Sequence, residues 1–347
     1  MPYVKLEDLN KVLPLTEEEK GWKPEGPSLP VLISDHLFSL IDRNDEKDPI
    51  RRQFVPSEKE NIDVHGDLDP LREVDNTKSV RLIHRYHNRA ALLTTDRCFS
   101  YCRHCFRRRF TAKESGPIST EELREAASYL REHREIREVL LTGGDMFTLS
   151  DDKLDEMLGI LKEAREDIIY RLCTRAVVAY PERFTENLFS IIKKHQHGAP
   201  FFLMTQINHP REITPETTAV VDRFISLGII PFNQSVLLKG VNDDADVLEE
   251  LSDRLLMARI KPYYLFQGDL VNGTSHLRVN VSDGLKLEKE LRKRVSGLGM
   301  PQYTMDLPDG GGKVILTENY VVGLEGDTWT VRSPYSDEIR KYPEIKD

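Results

Sequence analysis

The run Thr94-Thr95-Asp96-Arg97-Cys98-Phe99-Ser100-Tyr101-Cys102-Arg103-His104-Cys105 decides how the rest of the chain is read. Cysteines at i, i+4 and i+7 can fold from one loop onto a single cubic iron–sulfur cluster. Three thiolates bind three irons and leave the fourth without a protein ligand, unlike the closed four-cysteine clusters of ferredoxins. Zinc would want a fourth ligand, and this spacing is not a usual finger spacing. The remaining cysteine, Cys173, stands alone in an apolar stretch and reads as a small buried hydrophobe. Four cysteines in 347 residues are no disulfide scaffold, and clustered thiols point to metal.

Working outward, the apolar run Ala90–Thr95 immediately precedes this loop and reads as a strand. Further strands are expected at Val139–Thr142, Ile168–Cys173, Phe201–Thr205, Ile229–Val236 and Lys261–Phe266. Between them the pattern predicts helices over Ser119–Glu132, Ser150–Ala164, Pro181–Lys194, Thr214–Leu227 and Asp243–Ala258. Ser119 and Ser150 precede acidic first turns, and Thr214-Pro215-Glu216 puts proline at the first helical position. Strict alternation implies parallel strands with right-handed crossovers, an α/β fold closing as a partial (β/α)6 barrel. In such barrels chemistry sits on loops after the strands' C-terminal ends, where the cysteine loop falls.

On either side the character changes. Residues 1–80 are polar and proline-punctuated, with a short helix at Ser34–Asp42, and are expected to wrap the 81–300 core. Residues 301–347 form a C-terminal segment after a helix at Ser282–Val295. It holds the apolar run Gln302–Leu307, a glycine-rich turn at Asp309-Gly310-Gly311-Gly312-Lys313, and strands at Tyr320–Leu324 and Thr328–Arg332. A net charge of −9 argues against nucleic acid as the main partner, although the basic cluster Arg103 to Arg109 leaves a local anion site open. The N-terminus has no signal pattern and no apolar run approaches the roughly 18 residues of a membrane span. A cytoplasmic protein with no membrane partner is expected.

An iron without a protein ligand is what S-adenosylmethionine needs in order to chelate a cluster and be cleaved to a radical. Leu141-Thr142-Gly143-Gly144-Asp145 follows the second expected strand and resembles the Gly-Gly-acidic segment that, in radical enzymes of this type, lets backbone approach the adenosylmethionine amino group. Alone, Gly-Gly-Asp is an ordinary turn.

Taken together, these residues resemble the lysine 2,3-aminomutase family of radical S-adenosylmethionine enzymes. The resemblance runs from about Asp48 to Val321 through His84-Arg85-Tyr86, Cys102-Arg103-His104-Cys105, Arg107-Arg108-Arg109, Asn208-His209-Pro210, Asn233-Gln234-Ser235 and Lys261-Pro262-Tyr263-Tyr264. It implies a 4Fe–4S cluster on Cys98, Cys102 and Cys105, with S-adenosylmethionine near Gly143, Gly144, Asp145 and Gln206. It also implies pyridoxal 5′-phosphate carried as a Schiff base on Lys313, with Arg85, Tyr86, Arg89 and Gln234 around the cofactor. Arg107 matches the residue that pairs with the substrate α-carboxylate, and Asp269 and Asp306 match two aspartates that receive the lysine ε-ammonium. The implied reaction converts L-lysine to L-β-lysine by a 1,2-amino shift. An electron donor such as flavodoxin or ferredoxin and a homo-oligomer are the expected partners.

The chain departs from the family pattern in several places. Asp309 replaces the first of four glycines, Val314 stands at a hydroxyl position, and Gln206 replaces a histidine. The C-terminal zinc cysteines are absent, and Asp244 occupies the place of their remote partner. Alternatives are another basic amino acid as substrate, a relative supplying β-lysine for a translation factor, and a non-catalytic iron–sulfur sensor.

Overall fold

The computed structural model describes residues 5–24, 28–62, 66–198 and 200–344. Its first elements are four short helices, α1 (Leu6–Leu9), α2 (Glu17–Lys20), α3 (Asp35–Ser39) and α4 (Arg51–Phe54). Ser34 caps α3 by accepting from the Leu37 amide, so the expected helix begins on its cap but stops at Ser39. Leu9, Leu13, Ile33, Leu37, Ile50 and Phe54 share one apolar core with the barrel helices.

The sheet begins with β1 (Thr77–Ser79), β2 (Leu82–Tyr86) and β3 (Arg89–Thr95), paired antiparallel. It continues through β4 (Glu138–Gly143), β5 (Ile169–Thr174), β6 (Phe201–Thr205), β7 (Ile230–Leu237), β8 (Lys261–Gln267) and β9 (Gln302–Leu307), each parallel to its neighbour from β3 onward. An antiparallel β10 (Gly312–Ile315) ends it. All six expected strands are present, and Gln302–Leu307 extends the parallel run to seven. The boundaries expected near residues 80 and 300 do not interrupt this sheet, since β1 and β9–β10 belong to it. The first and last strands do not pair with each other, so the barrel stays open.

The crossovers are α5 (Thr120–Glu132), α6 (Asp151–Ala164), α7 (Ala176–Ala179), α8 (Glu186–His195), α9 (Pro215–Ser226) and α10 (Ala245–Met257), followed by α11 (Val281–Arg294). Ser119 and Glu122 form a reciprocal capping box on α5, and Ser150 and Thr214 cap α6 and α9. The single helix expected over Pro181–Lys194 is broken. Thr185 turns its hydroxyl to the Leu188 amide and starts α8, leaving Pro181–Arg183 as a 3₁₀ turn. Asp244 is the N-cap of α10 and accepts from the Asp246 and Val247 amides. The tail is a separate three-stranded sheet, β11 (Val321–Glu325), β12 (Thr328–Arg332) and β13 (Ile339–Pro343), whose last strand the sequence pattern did not predict.

Candidate active site

The cysteine loop is held by its own acid and by its neighbour. The Asp96 carboxylate accepts from the amides of Lys113, Ser115 and Gly116, each at 3.0 Å, and draws the far end of the excursion back onto the strand. Against it lies the turn after β4, where the Gly144 and Asp145 amides donate to Thr95 and Arg97 carbonyls at 2.6 and 2.7 Å. A Cβ on Gly144 would stand 2.1 Å from the Arg97 oxygen, and one on Gly143 2.5 Å from the Thr95 oxygen. Both glycines are therefore required by the contact between the two loops, independently of any ligand.

Asp145 is likewise consumed within the protein. Its carboxylate accepts from the Thr174 hydroxyl and the amides of Phe147, Arg175 and Ala176 at 2.8–3.1 Å. Burial raises its pKa, while these donors work against that shift. It shapes the turn after β5.

Beneath the loops lies a cavity of about 440 Å³ that all fifteen candidate residues line. Cys98, Cys102 and Cys105 form one wall. Burial, followed by the Asp145 carboxylate, pushes the Cys98 thiol well up, and burial with Cys102 raises Cys105. Such thiols stay protonated until a metal takes them. Cys173 also faces the cavity, which corrects its reading as a core residue. The alternation of β5 explains this: Tyr170 and Leu172 pack outward, and Arg171 and Cys173 point inward. Its thiol is raised to about 12, by burial first, with Arg107 and Arg171 opposing.

At the other end of the cavity, β9 and β10 put Lys313 directly opposite Asp306, and their side chains form an ion pair. Lys313 thus lies on a strand, where the sequence pattern gave a turn. The turn itself is Asp309 to Gly311, with Asp309 at φ 56° and Gly310 at φ 74°. Burial lowers the Lys313 pKa, against the pull of Asp306. Arg85 from β2 donates to Asp306 at 2.9 Å and also reaches the Tyr86 hydroxyl. This pair spans the gap between the sheet's two ends, so side chains close what backbone pairing leaves open. Asp269 stands nearby, raised to about 7 by burial and then by Asp306. Arg89 stacks its guanidinium 3.8 Å from the Tyr86 ring centre.

Several groups here were invisible in the sequence. Glu73, buried, takes Arg107 Nε at 2.9 Å and Nη2 at 2.8 Å, and also Arg109 at 3.3 Å. The basic run is not an open anion site: Arg103 and Arg108 share Glu60, at 2.5 and 2.8 Å. Burial works to raise Glu60, yet the two guanidiniums leave it below the ordinary value. Asp309 does not add charge to the cavity, because it points outward to Arg72 at 2.6 Å. Gln206, which stands where the family pattern has a histidine, donates to His104 Nε2 at 3.2 Å, within the cysteine loop. Tyr264 and Phe266, spaced two apart on β8, put ring faces 5.3 and 4.1 Å from the Lys313 amine. That period-two aromatic pair was the one signal available for this wall.

Comparison with known proteins settles what this constellation belongs to. The radical SAM superfamily description matches residues 92–251, and the lysine-2,3-aminomutase description matches residues 288–347. L-lysine 2,3-aminomutase from Clostridium subterminale is 39% identical over 346 residues, covering 97% of this chain and 82% of that protein. The chain belongs to the lysine 2,3-aminomutase family. Glutamate 2,3-aminomutase from Clostridioides difficile is 38% identical, over 94% of this chain and 77% of its own length. L-lysine 2,3-aminomutase from Methanococcus maripaludis is 39% identical, over 92% and 73% respectively. As a radical SAM aminomutase the chain is an isomerase that uses a 4Fe–4S cluster and S-adenosylmethionine, which removes the sensor alternative. The site suits the cluster. Cys105 and Cys102 both raise the Cys98 thiol, and Cys102 raises Cys105, as three thiols crowded at one place would. No helix among the described residues is long and apolar enough to cross a membrane.

Proposed function

We propose that this chain is a lysine 2,3-aminomutase, converting L-lysine to L-β-lysine. The observation that supports it is the pair Asp269 and Asp306 beside Lys313 in one cavity. Two carboxylates in a half-dry site favour a substrate with a second ammonium and penalise one with a second carboxylate.

In this reading Cys98, Cys102 and Cys105 hold the cluster, and Gly143, Gly144 and Gln206 line the place of adenosylmethionine. Asp145 contributes by fixing the loop, since its oxygens are already taken. Lys313 holds pyridoxal phosphate through its amine, which burial keeps closer to neutral than a surface lysine. Arg85, Arg89 and Gln234 are the phosphate's neighbours, with Tyr86 alongside; the two guanidiniums suit a dianion. Once Lys313 leaves Asp306 for the cofactor, that carboxylate is released to a substrate ammonium. Arg107 receives the α-carboxylate, steadied from behind by the Thr142 hydroxyl at 2.9 Å. When bound, the cluster with adenosylmethionine supplies the hydrogen-abstracting radical, and pyridoxal phosphate the π-system for amino migration. Residues 81–300 carry the cluster, residues 301–347 bring the lysine, and residues 1–80 wrap the core. A small cytoplasmic carrier such as flavodoxin or ferredoxin delivers the electron, and the chain works as a homo-oligomer.

Anaerobic incubation of reduced, cofactor-loaded protein with lysine, arginine, ornithine, glutamate and alanine, read by mass spectrometry and chromatography against β-amino-acid standards, tests the substrate. β-Lysine is the expected product. Preferred turnover of glutamate or alanine overturns the reading, and preferred turnover of arginine or ornithine moves it to another basic amino acid.

A further inference from the structure

Arg175 follows β5 and is buried, and its guanidinium has three partners. Nη2 donates to Gln53 Oε1 at 2.6 Å and to Glu212 Oε2 at 2.7 Å. Nη1 donates to Cys102 Sγ at 2.9 Å. Its Cζ lies 4.6 Å from the centre of the Phe54 ring. Glu212 is held in turn by the Asn208 and His209 amides at 3.1 and 2.9 Å and by Gln53 Nε2 at 3.1 Å. The backbone of Arg175 is pinned by Asp145, whose carboxylate accepts its amide at 2.8 Å. A cation so fixed in a dry place cannot turn away from the sulfur beside it.

We propose that Arg175 is a positioning residue that tunes the cluster, donating to the Cys102 sulfur and raising the potential at which the cluster takes its electron. The step is a one-electron reduction: the oxidised cluster gains one electron from a low-potential donor, and no proton is transferred. The added negative charge spreads over the sulfurs, where a fixed cation and a hydrogen bond stabilise the reduced form more than the oxidised one. Glu212 partly neutralises Arg175, so the two residues push the potential in opposite directions. The Gly-Gly-Asp turn acquires a second role through Asp145, that of holding the tuning cation in place. The inference rests on the cluster being carried by Cys98, Cys102 and Cys105 and is independent of which amino acid is rearranged.

The experiment is redox titration of the reconstituted full chain with dithionite, without substrate, following the reduced-cluster signal by electron paramagnetic resonance. Parent, Arg175→Met, Arg175→Lys and Glu212→Gln are compared at equal iron content. At the potential where the parent is half reduced, Arg175→Met should show a reduced-to-oxidised ratio about tenfold lower, equivalent to roughly 59 mV for one electron. Arg175→Lys should fall between the two, and Glu212→Gln should shift the other way. A purely structural role would not give opposite signs in the two charge removals. An iron-complete Arg175→Met protein with the parent's potential overturns the proposal, as do shifts of one sign in both variants. If Arg175→Met fails to hold iron, Glu212→Gln decides alone, and an unchanged or lower potential there overturns it. A parent with no iron–sulfur signal would instead sink the cluster assignment itself.

Discussion

Replacing Asp269 by Asn should make the protein more stable and less active, and the size of the first effect follows from its surroundings. Burial and then the neighbouring Asp306 raise the carboxyl from 3.8 to about 7. The sign is that of a raised acid. Below about pH 4 folded and unfolded chains both carry the proton, and Asp269 costs nothing. Between about 4 and 7 the folded chain keeps a proton that the unfolded chain has lost, so stability falls as pH rises. Above about 7 the full penalty applies: about three units at about 1.4 kcal/mol each, or roughly 4 kcal/mol. The isosteric amide removes it. In cofactor-free protein the variant should gain roughly 2–4 kcal/mol over the parent near pH 8 and almost nothing near pH 4. Anaerobic urea unfolding at the two pH values measures this directly. With lysine as substrate, losing one partner of the ε-ammonium should cost about 2 kcal/mol or more in kcat/KM, about 30-fold. Loss should be selective for lysine over alanine. An advantage that does not grow with pH would refute the burial argument, and equal loss for both amino acids would refute the role in substrate choice.

The remaining expectations are simpler to read. Cys98→Ala, Cys102→Ala and Cys105→Ala should each abolish the visible iron–sulfur absorbance, whereas Cys173→Ala should leave it intact although its thiol lines the same cavity. Borohydride reduction of pyridoxal-loaded protein followed by peptide mapping should label Lys313, and Lys313→Ala should keep its iron while losing the label; a label on another lysine would reassign the site. Glu73→Gln should lower the midpoint of thermal unfolding, because it strips the buried counter-charge from Arg107. It should also lower KM for every amino acid, since the substrate carboxylate no longer competes with Glu73; a raised KM throughout would mean that Glu73 orients Arg107 for binding.

The sequence was most readable where periodicity and capping act locally. Ser119, Ser150 and Thr214 begin their helices where expected, and the six expected barrel strands appear within a residue or so of the predicted ends. What failed depends on partners distant in the chain. β2 has no alternation to announce it and exists because β3 lies beside it. Lys313 became a strand residue because β9 offered an edge. Cys173 looked like core because its apolar neighbours do, and only the direction of β5 turns it inward. The clustering of all fifteen candidate residues in one cavity was legible through family resemblance, but the acids paired with them were not. Glu60, Glu73 and Glu212 lie in stretches with no motif, and their value is set wholly by which arginine the fold delivers.

Those acids bear on how the site is loaded. Four of the cations with proposed tasks are held by a protein carboxylate: Arg107 by Glu73, Arg85 and Lys313 by Asp306, Arg175 by Glu212, while Arg89 lies over the Tyr86 ring. A buried guanidinium without a counter-ion would be costly, so these pairings keep the cavity folded before any ligand arrives. They also mean that ligand binding is an exchange. A substrate carboxylate or a cofactor phosphate replaces an existing charge-assisted bond, and the desolvation of the cation has already been met in folding. Exchange favours ligands whose charges match the displaced acids in sign and roughly in number. Both cations that Asp306 holds are ones the proposed function gives to the cofactor, so on that reading loading at Lys313 and Arg85 leaves Asp306 open to a new positive partner. An incoming ammonium restores the balance, whereas a carboxylate adds to the repulsion already felt by Asp269. If the proposed function holds, a preference for a basic substrate arises when the cofactor enters, and lysine should bind the pyridoxal-loaded protein much more tightly than the pyridoxal-free one.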